Sequence, residues 1–287
     1  MKMAIAIQCH NKPEIINELI KFFNDCDIDI YIHVDKKSNI YNKLLINTNV
    51  YMIKNRIDVQ WGKFSQVEAT LEMFKLIIES KKKYNYVHLI SGQDFMVKNI
   101  NGFKNMFRNN NKEYLEHSEL PNEWPKGGID RYKVYYPNWM IDRPKNLYKR
   151  MVRIAYREVI LKTKILQRSF TFYKYVYGGS SWFSITGECL EYIMNYLKNN
   201  NEYYEFFKNS LCPDEIFFHT LIMNSPFAKN VENNNLRYID WSVKNMGSPK
   251  QLNKNDIDLA IESNNIFARK IENLEECKYI IEQLKEG

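Results

Sequence analysis

The chain opens on a short apolar run, residues 4–8, that reads as a buried strand. A helix follows, with Asn11 as its N-cap, Pro13 in its first turn, and Ile15, Ile16, Leu19, Ile20 and Phe23 on one stripe. Residues 28–34, 50–53 and 86–90 read as further strands, the last broken by Ser91-Gly92-Gln93-Asp94. Between them Ser65-Gln66-Val67-Glu68 fits a capping box, and Val67, Leu71, Phe74 and Ile78 carry an apolar helix face to about Ser80. Strands alternating with helices of this length predict an α/β fold, a mainly parallel twisted sheet flanked by helices. Ligands of such sheets sit beyond the carboxyl ends of the strands, where Asp35 and the Ser91-to-Asp94 loop fall.

Beyond residue 110 the alternation weakens. Pro121, Pro125, Gly127, Gly128, Pro137 and Pro144 mark an irregular region, and residues 145–166 read as a basic helical insertion. Tyr177-Gly178-Gly179-Ser180-Ser181-Trp182 interrupts the chain before another strand and a helix over residues 188–197. The clearest helix start is Pro213-Asp214-Glu215: proline suits the first helical position, and the macrodipole favours two carboxylates in the first turn. Behind them Ile216, Phe217, Phe218, Leu221, Ile222 and Met223 anchor the helix, so both acids would be mounted rigidly, with Glu215 ionised near neutral pH. An ordinary capped helix is the alternative account. A strand over residues 236–240 and two closing helices complete a single domain over residues 1–287.

Composition adds a compartment and a partner. Hydrophobic residues make up 45% of the 287, ample for a core, yet no run is long and apolar enough for a membrane span or a signal-peptide core. Five cysteines in unpaired spacings suggest reduced thiols and a cytoplasmic location, with peripheral attachment at the inner face of the membrane. The net charge of +7 is local. Within residues 143–174 ten bases (Arg143, Lys145, Lys149, Arg150, Arg153, Arg157, Lys162, Lys164, Arg168 and Lys174) face Glu158 alone, giving +9 against −2 for the remainder. That points to an anionic partner: a membrane surface presenting a lipid-linked acceptor, or an acceptor groove. Interleaved Tyr148, Tyr156, Phe170, Phe172, Tyr173 and Tyr175 also admit a nucleic-acid-binding protein, which would leave the other motifs unexplained.

No Gly-rich phosphate loop, HExxH or Gly-x-Ser-x-Gly elbow is present. Asp-x-Asp occurs at Asp25–Asp27, Asp27–Asp29 and Asp256–Asp258, in each case where a solvent-facing or capping role is expected. After the second strand stands Asp35-Lys36-Lys37, better suited to a ribose or base edge than to a divalent cation. The Ser91-Gly92-Gln93-Asp94-Phe95 loop is either a polar ligand contact or a plain turn. Gly178-Gly179 would let backbone N–H groups approach a ligand beside the flat wall of Trp182, or would simply make a tight turn. His10, His33, His88, His117 and His219 are scattered, as structural histidines would be.

Five segments occur in order: His33-Val34-Asp35-Lys36-Lys37-Ser38, His88-Leu89-Ile90-Ser91-Gly92-Gln93-Asp94-Phe95, Gly179-Ser180-Ser181-Trp182-Phe183, Pro213-Asp214-Glu215 and Phe267-Ala268-Arg269-Lys270. Together they resemble the core-2/I-branching β-1,6-N-acetylglucosaminyltransferase and peptide O-xylosyltransferase family (glycosyltransferase family 14) over nearly the whole chain. The resemblance implies a GT-A-like fold, a UDP-sugar donor, inversion, and no metal or other cofactor. It implies Glu215 as the base on the acceptor hydroxyl, and Arg237 and Lys270 on the donor diphosphate. Donor nucleotide contacts would come from Asp35, Ser91, Gly92, Gln93 and Asp94, and acceptor contacts from Glu116, Lys126, Arg131 and Trp182. Residues 1–110 would then be the nucleotide-binding half and 111–287 the acceptor-binding and catalytic half. A short segment between His219 and Leu236, and Ser181 where a larger residue is usual, set this chain apart from the animal enzymes. The expected reaction is transfer of GlcNAc to a hydroxyl of a cell-surface glycan precursor, with xylosyl or other hexosyl transfer as the alternative.

Overall fold

The computed structural model describes residues 1–141, 146–164, 166–243 and 248–286. Arg143, Pro144 and Lys145 of the basic segment lie outside the described residues. The strands are β1 (Met3–Cys9), β2 (Ile28–Val34), β3 (Val50–Met52), β4 (Tyr86–Ser91), β5 (Asp94–Met96), β6 (Glu113–Tyr114), β7 (His117–Leu120), β8 (Val176–Gly179), β9 (Ser184–Thr186), β10 (Val231–Glu232), β11 (Arg237–Ile239) and β12 (Phe267–Arg269). The helices are α1 (Pro13–Phe22), α2 (Ser65–Glu79), α3 (Ile100–Phe107), α4 (Asp130–Lys133), α5 (Asn138–Ile141), α6 (Leu147–Thr163), α7 (Gly187–Asn199), α8 (Asn201–Phe207), α9 (Phe217–Met223), α10 (Lys254–Glu262) and α11 (Leu274–Glu286).

The main sheet runs β10-β6-β9-β4-β1-β2-β3. Strands β3, β2, β1 and β4 are parallel, β9 is antiparallel to β4, and β6 is antiparallel to β9. This is the expected α/β architecture with a mostly parallel central sheet. Every residue of β1, β2 and β4 is buried, so these largely apolar strands are covered on both faces and take polar members such as Asp29, His33 and His88 into the core with them. One face of the sheet packs against Ile16 and Leu19 of α1, Phe103 of α3, Ile257 of α10 and Ile280 of α11. The other packs against Val67 and Phe74 of α2, Leu190 of α7 and Phe218 of α9. Each such buried side chain contributes about 1.5–3 kcal/mol. The C-terminal part of the chain returns to the first half, because β12 pairs antiparallel with β5 and parallel with β11.

Three start signals read differently in three dimensions. Pro13 is the first residue of α1, but the cap is Lys12 in a left-handed conformation, not Asn11. Ser65 begins α2 and accepts a bond from the Gln60 N–H, while Glu68 accepts from Tyr204, so no capping box forms. Pro213-Asp214-Glu215 is a single 3-10 turn after left-handed Cys212, and α9 begins only at Phe217, because Ile216 leaves helical geometry. The apolar anchoring of α9 is as expected, with Phe217, Phe218, Leu221 and Ile222 buried.

His88 is structural: its Nδ1 lies 2.9 Å from the Ser184 hydroxyl, and burial holds its pKa down to about 3. The acidic pairs are also occupied. Lys104 bridges the Asp25 and Asp27 carboxylates, Lys82 bonds Asp29, and Asp256 closes a capping box with Asn253 at α10. Phe170, Phe172 and Tyr173 pack against Tyr203 and Phe206, so they do not form an exposed stacking platform.

Candidate active site

The carboxyl ends of β1, β2 and β4 open onto a cleft of about 150 Å³, lined by Gln8, His10, His33, Asp35, Ser91, Gln93, Trp182 and Arg269. Its floor is a polar network: the Gln8 amide donates to Thr70 (2.7 Å) and accepts from Gln66 (2.8 Å). His33 Nε2 accepts the Ile57 N–H at 2.9 Å, and burial drops its pKa to about 4, so it stays neutral. Asp35 accepts the Lys37 N–H, and its carboxylate lies 3.3 Å from the Lys37 ammonium. Gly92 lets the loop press on α1 and β1: a Cβ there would stand 2.6 Å from Ile16 and 2.7 Å from Cys9.

Asp94 organises the cationic wall. It is buried, accepts the Ser91 N–H at 2.7 Å, and meets Arg269 at 3.0 Å across the β5–β12 register and the Arg237 Nε at 3.7 Å. Arg269 also lies over the Trp182 ring, 5.1 Å from its centroid. Lys270 follows it, half-buried, with its pKa lowered by burial and by the Arg269 charge. Arg237 is placed differently from the expectation that it touches the donor. Its side chain is fully enclosed and donates to the Leu89 and Asn235 carbonyls, so in this geometry it braces Asp94 from within. Arg269 takes the cleft-facing position.

The acceptor side is assembled around β8. Gly178 packs against Trp124 and the Glu215 carbonyl, while a Cβ on Gly179 would overlap the Glu116 carbonyl oxygen. The two glycines thus serve close packing of the strand, not a ligand cradle. Glu215 is half-buried and 2.6 Å from Arg131, whose guanidinium lies over the Trp124 ring. Burial pushes the Glu215 pKa up to about 7, against the Arg131 charge that lowers it and with the Asp214 charge adding to the rise. This reverses the expected sign: Glu215 is not in the first turn of α9, so desolvation outweighs any helix dipole. Asp214 is engaged by the Ser181 hydroxyl at 2.7 Å. Glu116 accepts from the Asn235 amide, and Lys126 pairs with Glu158 of α6 at 2.9 Å. The Ser181-Trp182 step joins the two sides, the serine bonding Asp214 and the tryptophan stacking on Arg269.

The family model for Core-2/I-Branching enzyme matches residues 4–262. The chain belongs to the core-2/I-branching enzyme family. It is similar to Xylosyltransferase oxt of Drosophila pseudoobscura pseudoobscura, 25% identical over 240 residues that cover 80% of this chain and 25% of that protein. Xylosyltransferase 2 of Rattus norvegicus is 26% identical, covering 75% of this chain and 23% of its own length. The chain therefore spans about a quarter of the length of these curated relatives. Among solved structures, Core-mannan synthase A from Aspergillus fumigatus in its Mn/GDP form overlays with a TM-score of 0.34 at 11% identity, over 80% of this chain and 72% of that one.

Two residues of this core-2/I-branching chain entered the site without being singled out beforehand. Arg269 stands beside Lys270 in the Phe267-Ala268-Arg269-Lys270 segment, but only its strand pairing with Asp94 turns it into the cleft. Trp124 lay in a proline- and glycine-rich stretch with no periodic signal, and its contact with Arg131 depends on the fold.

Proposed function

We propose that this protein transfers a sugar from a UDP-sugar, with GlcNAc the first expectation, to a hydroxyl of a glycan precursor, with inversion and without a divalent metal. The observation that carries the reading is a carboxylate poised near neutrality, Glu215, whose neighbour Asp214 is joined through Ser181-Trp182 to a cleft lined by Arg269, with Lys270 next in the chain. In a single displacement Glu215 takes the acceptor hydroxyl proton while that oxygen attacks the anomeric carbon. The bond to the diphosphate breaks on the opposite side, and its growing negative charge is met by Arg269 and Lys270. Asp35, Ser91, Gly92, Gln93 and Asp94 form or support the nucleotide side. Glu116, Arg131 and Trp182 line the acceptor approach, with Lys126 at its rim.

The carboxylates in and behind the cleft support the metal-free reading, because Asp35 in its lining and Asp94 buried behind it are each already held by cations. UDP-xylose is the second donor reading, favoured by the names of the matched relatives. A donor screen in chelator, reading UDP release over several UDP-sugars with native glycan extract as acceptor, tests both. Turnover with one UDP-sugar in EDTA is expected. Turnover that requires added manganese contradicts the metal-free reading, and turnover with none contradicts the donor class.

A further inference from the structure

Helix α6 displays a surface that the transfer chemistry does not use. Leu147, Tyr148, Met151, Ile154 and Val159 recur at helical spacing and are each between 42% and 72% exposed, whereas only Ile160 of this helix is buried. The helix is therefore held by one edge: Val152, Tyr156, Ile160 and Leu161 pack on Val134, Tyr136 and Ile141, and the other apolar positions face outward. Beside that stripe, Arg150, Arg153 and Arg157 fall at i, i+3 and i+7 and line a cleft of about 250 Å³ with Tyr136, Ile154 and Leu211. Two carboxylates face it, Asp130 at 3.8 Å from Arg157 and Glu158 at 3.2 Å from Arg157. Among the described residues Arg153 makes only a long bond to the Met140 carbonyl, and Arg150 has no carboxylate partner. Exposed Trp139, on the short helix that Arg153 touches, adds an interfacial aromatic.

We propose that this face docks the protein on an anionic phospholipid surface, with a lipid phosphate seated among Arg150, Arg153 and Arg157 and the stripe from Leu147 to Val159 entering the headgroup–acyl boundary. An exposed apolar stripe alone would fit a second protein equally well. The adjoining guanidiniums, in excess over the carboxylates that face them, select a phosphate-bearing apolar partner, and guanidinium forks match phosphate oxygens. A helix with a basic edge, an outward apolar edge and interfacial aromatics is the arrangement that lies in the plane of a membrane surface. The docking is independent of which sugar is transferred, and its test does not read transfer.

The experiment is vesicle flotation of the full chain with phosphatidylcholine alone and with phosphatidylcholine containing phosphatidylglycerol. Wild type should float with the anionic vesicles only, and less so at high salt. Met151→Asp on the stripe and the pair Arg150→Glu, Arg153→Glu in the cleft should each lower partitioning by about tenfold or more. Thermal unfolding of each variant controls for the fold; Arg150 and Met151 are exposed and Arg153 is half-buried. Equal flotation with both lipids, flotation with neither, or undiminished binding by Met151→Asp overturns the proposal. So does a dimer in vesicle-free sedimentation that Met151→Asp dissolves, which makes the face an interface between copies. Stronger retention on single-stranded DNA than on anionic vesicles also overturns it.

Discussion

The Nη1 atom of Arg131 sits 2.6 Å from a Glu215 carboxylate oxygen, yet no well-directed hydrogen bond joins the two. The contact is one of charge, made where burial alone would hold Glu215 neutral. Arg131 therefore keeps the carboxylate partly ionised near neutral pH without locking it into a proton bridge, leaving it able to accept a proton from a third group.

Replacing Arg131 should move that balance in a defined direction. The guanidinium favours the ionised carboxylate, so Arg131→Met raises the Glu215 pKa further, and the acid limb of the pH–rate profile should move up by about 1 to 3 pH units. Activity lost at neutral pH should return in alkaline buffer. A uniform loss at every pH would place Arg131 in acceptor binding alone.

The three cations around Asp94 should separate by phenotype. Arg269→Ala and Lys270→Ala each remove a charge-assisted contact to a diphosphate, about 1.5–3 kcal/mol of donor affinity, read by calorimetric titration with UDP. Arg237→Met breaks a fully enclosed pair and should instead lower stability by about 3–5 kcal/mol in denaturant unfolding. An Arg237 variant that keeps its stability and loses UDP binding would return that residue to the donor site.

Gly179→Ala should fail as a packing mutation. Its Cβ overlaps the Glu116 carbonyl, and the neighbour is backbone with nowhere to move. A loss of about 1–3 kcal/mol in unfolding is expected, with UDP affinity of the folded fraction unchanged. Unchanged stability with weakened ligand binding would restore the cradle role.

Much of this was legible in the chain because local pattern and burial agree. The apolar runs that became β1, β2 and β4 are buried on both faces, and the breaks at Asp35 and Ser91 fell at the strand ends that frame the cleft. Ser65 and Pro213 misled because a start signal is local, whereas Ser65 is claimed by the Gln60 N–H and the 213–215 turn by the left-handed backbone of Cys212. The sign of the Glu215 shift was illegible for a related reason: desolvation depends on what packs around the carboxyl, and Arg131, itself lying over Trp124, reaches it from a distant part of the chain. The outward stripe of α6 was hidden too. A mixed apolar and basic helix does not reveal which edge packs, and here Val152 and Tyr156 are held while Met151 and Ile154 are not.

The central claim is that Glu215 is the base, poised by burial. Its most direct test is the pH dependence of kcat/KM for wild type and Glu215→Gln, in chelator with the donor that the screen identifies. Wild type should rise about tenfold per pH unit to a plateau above about 7, and the variant should be lower by about a hundred- to ten-thousand-fold with no such limb, while still binding UDP. A Gln variant within a few-fold of wild type, carrying the same acid limb, would contradict the account.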